Sequence, residues 1–127
     1  MEETALTDSI LLTVKRCLDI EDDYNTFDAP ILTHINTYLH VLWMQGVGKS
    51  NFKVTGSSET WSDLLGDDVD HLQMAATYIS TRVKLIFDPP QNSSLYNAYK
   101  EEANELGWYL GVESDILESG VDYDAED

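Results

Sequence analysis

Apolar positions recur at helical spacing in four stretches of the chain. The richest is the segment 70–90. There Leu72, Ala75, Ala76, Ile79, Val83 and Ile86 fall at steps of three and four and share one helix face. Met74, Tyr78, Leu85 and Phe87 widen that face, so this helix is expected to be covered on several sides or by another subunit. Asp67, Asp68 and Asp70 stand at its start, and Arg82 and Lys84 in its last turns, where the helix dipole favours each sign. Pro89 and Pro90 end it, since neither donates a backbone bond and Pro89 drives Asp88 out of the α region.

The other stretches are simpler. Ile10, Leu11, Val14, Cys17 and Leu18 predict a first helix capped by Thr7 or Asp8, with Cys17 as a small buried hydrophobe. Asp28-Ala29-Pro30 opens a second helix that runs to about Gln45 and stops at Gly46. Ile31, Leu32, Ile35, Tyr38, Leu39 and Leu42 form its buried face, and Val41, Trp43 and Met44 spread apolar surface round its end. Phe52–Thr55 reads as a short extended turn. Ser58 or Thr60 then caps a helical turn, Trp61–Leu65, closed by Gly66. The last helix is expected from about Ser94 to Leu110, started by Asn92-Ser93-Ser94 and striped with Leu95, Ala98, Tyr99, Ala103, Leu106 and Leu110, with Trp108 beside them.

The expected fold is therefore all-α: a small bundle of about four main helices with a short extended turn and an acidic C-terminal tail. Residues 1–110 form the helical domain and 111–127 the extension. After Gly111 the chain has no basic residue, yet Val112, Ile116, Leu117, Val121 and Tyr123 are spaced along it. Such a tail is solvated alone and can order on a partner.

Charge narrows the function classes. The 127 residues carry a net charge of −17 with only 7 Lys and Arg. Gripping nucleic acid or an anionic membrane takes clustered cations, which this chain lacks. No stretch approaches the roughly 18–20 apolar residues of a membrane span. Met1-Glu2-Glu3-Thr4 lacks a basic leader, so a soluble protein made in a cytosol is expected. A single cysteine excludes an internal disulfide.

Three motifs come near to chemistry and fail. The acidic stretch Asp19–Asp28 lacks the glycine and spacing of a calcium loop. His34, His40 and His71 are too scattered for a metal. Gly46-Val47-Gly48-Lys49-Ser50 ends like a phosphate loop but has Trp43 where the first glycine belongs and a helix where a strand belongs, so it reads as a helix cap and turn. No catalytic constellation, cofactor site or metal site is expected. Trp43, Met44, Phe52, Trp61 and Tyr78 exceed what a small core needs, and are expected at subunit contacts.

The order of elements resembles the small all-helical head–tail connector (adaptor) proteins of long-tailed bacteriophages. The residues carrying the likeness are His34-Ile35-Asn36, Gln45-Gly46-Val47-Gly48, Trp61-Ser62-Asp63-Leu64, Lys84-Leu85-Ile86-Phe87-Asp88-Pro89-Pro90 with Ser93-Ser94, and Glu105-Leu106 with Trp108. The likeness covers about Ile10 to Leu110. It departs at Tyr109, where the family often has a basic residue, and in the acidic extension.

The resemblance implies a structural, non-enzymatic virion protein made in the bacterial host cytoplasm. It implies a homo-oligomeric ring, usually of twelve copies, below the portal protein, joined to a neck, stopper or tail protein. Genomic DNA would pass the lumen without specific binding, and no membrane is involved. Trp108, Leu110, Val112, Ile116, Leu117, Val121 and Tyr123 are then the expected portal contacts. The alternative reading is an acidic DNA mimic that occupies basic nucleic-acid-binding proteins.

Overall fold

The computed structural model describes residues 4–119, with helices α1 (Ile10–Cys17), α2 (Asp28–Met44), α3 (Trp61–Leu65), α4 (Leu72–Phe87) and α5 (Ser93–Ser119). Local caps set several of the helix ends, whereas α2 and α4 start without a side-chain cap and Asp28, expected as one, is the first residue of α2. Ser9 caps α1, its Oγ accepting from Leu12 N at 3.2 Å. Thr60 caps α3 in a reciprocal box, with the Asp63 carboxylate accepting from Thr60 N at 2.9 Å. Asn92 Oδ1 accepts from Ser94 N and Leu95 N at the start of α5. Past the end of α2, Gly46 N donates to Trp43 O and Val47 N to Leu42 O, both at 2.9 Å. With Gly46 at φ 92° and Val47 buried, this is a Schellman close.

Helix α4 is the central element and packs against α5, α1 and α2. It runs antiparallel to both long neighbours: Phe27, before α2, meets Phe87 at the end of α4, and Arg82 Nη2 of α4 donates to Asn104 Oδ1 of α5. Ile10, Val14, Ile31, Ile35, Ile79 and Val83 meet in one core. Helix α3 is tied to the other end of the chain by Trp61 N to Asp8 O (3.1 Å), Ser62 N to Leu6 O (2.8 Å) and the isolated bridge Ser9–Thr60. Among the described residues there is no strand. The expected extended turn is a loop pinned by Asn36, whose amide accepts from Val54 N at 2.8 Å and donates to Val54 O at 3.0 Å.

The all-α bundle agrees with the hydrophobic pattern, and four details differ from it. Helix α1 starts after Ser9, because Thr7 and Asp8 are used in the turn joined to α3. Cys17 is exposed, since it closes α1 one turn beyond Thr13, where Trp61 covers that flank. Leu95 and Ala98 are exposed because they lie in the first turns of α5, before it reaches the core, and Ile86 is exposed because its neighbours Leu85 and Phe87 take the inner side of α4. Helix α5 continues through Gly111 to Ser119 rather than ending at Leu110.

Candidate interaction surface

Where α2 ends, it lies against the middle of α5. Small residues allow the close approach. A Cβ on Gly107 would sit 2.9 Å from Tyr78 Cε1, and one on Gly111 would sit 3.6 Å from Gln45 Cβ. Helix α5 thus sits closely on the Tyr78 ring of α4 and on the Gln45 side chain at the close of α2, and larger side chains stand at the sides. The result is an open groove of about 940 Å³ lined by Trp43, Met44, Gln45, Gly107, Trp108 and Val112, among others. Trp43 is 42% exposed, Met44 68%, Trp108 62% and Tyr109 51%. Large apolar side chains gathered at one place on so acidic a protein mark a surface made for contact.

Of the residues expected at subunit contacts, Trp43 and Met44 stand at this groove, and Phe52 is half-buried in a second groove that shares Trp43. Trp61 and Tyr78 do not: both are core residues, which corrects the expectation. The indole N–H of Trp61 donates to Thr13 Oγ1 at 3.1 Å in the interior, and the Tyr78 ring is wedged under Gly107. Of the expected portal contacts, Trp108 is exposed and Val112 half-buried, while Leu110 is fully buried and cannot meet a partner. Ile116 and Leu117 fall in the last turns of α5; Val121 and Tyr123 lie outside the described residues.

A second apolar cluster lies outside the periodic pattern of the helices. Tyr24 and Phe27 pack ring to ring (5.8 Å), and Phe27 meets Phe87 edge-on (5.5 Å), leaving Tyr24, Phe27 and Ile86 exposed. The available signal was two aromatics inside a stretch otherwise too polar to bury them.

Electrostatics set the loops. Lys15 is wholly buried, and its ammonium reaches Asp28 Oδ1 at 2.9 Å and the carbonyl of Asp22 at 3.0 Å. The α1–α2 connection is thereby folded around one cation. Arg16 clamps Asp22 with two bonds, 2.7 and 3.1 Å, and the donated hydrogen bonds hold the Asp22 carboxyl below its ordinary pKa. The Thr55 hydroxyl, at 2.7 Å, is the main cause of a lowered pKa at Glu59, helped by the backbone N–H groups of Thr55 and Gly56. Asp68 accepts from His71 N and contacts the ring Nδ1 at 2.5 Å, fixing the turn into α4. Among the described residues, no three His, Cys, Asp or Glu side chains gather as a metal site would require. No described helix is long and apolar enough to cross a membrane.

A bundle with no clustered ligands but a prepared apolar surface is the geometry of an assembly component. Comparison with protein families agrees: the family model described as phage connector protein matches residues 10–116. The chain belongs to the phage connector family. No curated protein and no solved structure matches it. The match starts with α1 and reaches the last turns of α5, so it takes in all five helices of the connector, including the part of α5 beyond Gly111. The protein is accordingly a structural component of a bacteriophage.

Proposed function

We propose that this connector assembles as a ring, twelve copies by family analogy, below the portal at the head–tail junction of the virion. There it joins the head to the neck or tail and continues the DNA channel. The observation that carries the reading is the exposed strip Trp43, Met44, Trp108 and Tyr109, apolar on a chain of net charge −17. An exposed apolar strip of this kind marks a surface that a partner covers in the assembled state.

Helix α5 supplies the second half of the reading. Its last described core residue is Leu110, and the helix continues to Ser119. Trp108, Val112, Ile116 and Leu117 are the candidates for the portal contact. Acidic walls would let DNA pass, because nothing on them neutralises phosphate. Copies this acidic repel one another, so free protein should stay monomeric at low salt and assemble on a portal or with adequate salt.

The test mixes full-length protein with the purified portal of the same phage and counts rings by electron microscopy. Rings on the portal, lost on deleting Val112–Asp127, support the reading. Stable rings at low salt without portal would contradict the repulsion, and unchanged portal binding by the deletion would remove α5 from the contact.

A further inference from the structure

The charge of the connector is unevenly placed along its sequence. No Asp or Glu occurs between Asp28 and Glu59, although the chain has 24 of them. That interval is α2 and the loop after it. The loop is held at both ends, by buried Val47 in the helix close and by Val54 on the Asn36 amide. Between these anchors it presents Lys49 and Lys53, which make no ion pair among the described residues. With His40, Trp43, Asn51 and Phe52 they line a groove of about 270 Å³. The one carboxylate of this connection, Glu59, lies outside the groove lining and accepts from Thr55 and Gly56.

The opposite end of α2 has the complementary character. Asp19, Glu21, Asp22 and Asp23 are exposed there, followed by the exposed rings of Tyr24 and Phe27. Folding this segment around Lys15 and Arg16 gives it a fixed shape. The two ends are separated by the length of α2, about 25 Å at 1.5 Å per residue. One presents aromatics with cations and no acid, the other aromatics with acids.

We propose that the groove at His40, Trp43, Lys49 and Lys53 receives the segment Asp19–Tyr24 of a second copy. The copies then join head to tail. Such a contact pairs two different patches, and repeated with rotation it closes a ring. It is also the place where two copies of this acidic chain can approach with attraction instead of repulsion. Two lysines are too few to hold a nucleic acid against the remaining charge. The inference rests on the ring reading and names its subunit contact.

Charge reversal tests it, using full-length protein and portal. Lys49→Glu with Lys53→Glu should reduce ring-bound protein at least tenfold, and so should Glu21→Lys with Asp23→Lys. All four positions are exposed, so thermal melts should match the wild type and exclude misfolding. Mixing the two variants should restore rings, because each reversed groove then meets a reversed segment. Failure of the mixture to assemble overturns the pairing. So does a reversed groove that forms rings like the wild type, whether or not it has lost the portal, since the groove would then face something other than a second copy. Wild-type protein that forms no ring at all overturns the ring reading and this contact with it.

Discussion

Replacing Lys15 by Met removes one ammonium and keeps the length and apolar stem of the side chain. The ammonium is 0% exposed and meets Asp28 Oδ1 at 2.9 Å, with Asp28 24% exposed. It also donates to the Asp22 carbonyl at 3.0 Å. Breaking a buried pair from one side costs roughly 3–5 kcal/mol, mostly because the remaining charge is left without compensation. Water reaches part of Asp28, so the lower end applies, about 3 kcal/mol. For a chain of this size that corresponds to a fall in melting temperature of roughly 12 °C. Urea unfolding followed by far-ultraviolet circular dichroism measures it. The double variant Lys15→Met/Asp28→Leu should recover at least about 1 kcal/mol, since no stranded carboxylate remains. A single-variant loss below about 1 kcal/mol, or a double variant worse than the single, would mean that the α1–α2 connection does not depend on this cation.

Other expectations are independent of that pair. Gly107→Ala should lose about 1–2 kcal/mol, because the added methyl meets the buried Tyr78 ring at 2.9 Å. Gly111→Ala, in ordinary contact with Gln45 at 3.6 Å, should gain up to about 1 kcal/mol from helix propensity; equal effects at the two sites would disprove the close approach. Asn36→Ala should cost about 2 kcal/mol by leaving both polar groups of Val54 without their partner, read from the same urea curves. The Glu59 carboxyl is held below its ordinary value of 4.5, so its contribution is present above that pH and is lost as pH falls through the lowered value. Thr55→Val removes the main donor, and should make the drop in stability between pH 6 and pH 3 smaller than in the wild type; an unchanged drop would assign the pH dependence to other carboxylates.

Much of the fold is legible in local signals. Gly46 after α2, Thr60 before α3, Gly66 after it, Pro89 after α4 and Asn92 before α5 all act within a few residues, so the sequence carries them directly. What depends on distant partners is not legible. Trp61 resembles an exposed contact residue until Thr13 and the first helix are folded over it. Lys15 lies on an apolar helix and gives no sign of burial, because the groups that satisfy it come from the following loop. Leu95 and Leu110 have the same spacing pattern, but only the second reaches the core, since α5 enters the bundle partway along its length. The interaction surface was half visible for a similar reason. Trp43 and Met44 follow the apolar face of α2 round its end, whereas Tyr24 and Phe27 belong to no periodic pattern.

The family match supplies the class of protein, and the surface supplies the reason for assembly: an apolar strip, a groove at the end of α2 lined by cations without acids, and an acidic remainder. All three are features that the proposed ring would use. Antibody labelling of intact particles of the parent phage, viewed by electron microscopy, tests this most directly. Label should collect at the neck, between head and tail. Particles without label, beside infected cells that contain abundant protein, would be incompatible with a connector ring and would favour a soluble acidic protein acting on basic partners.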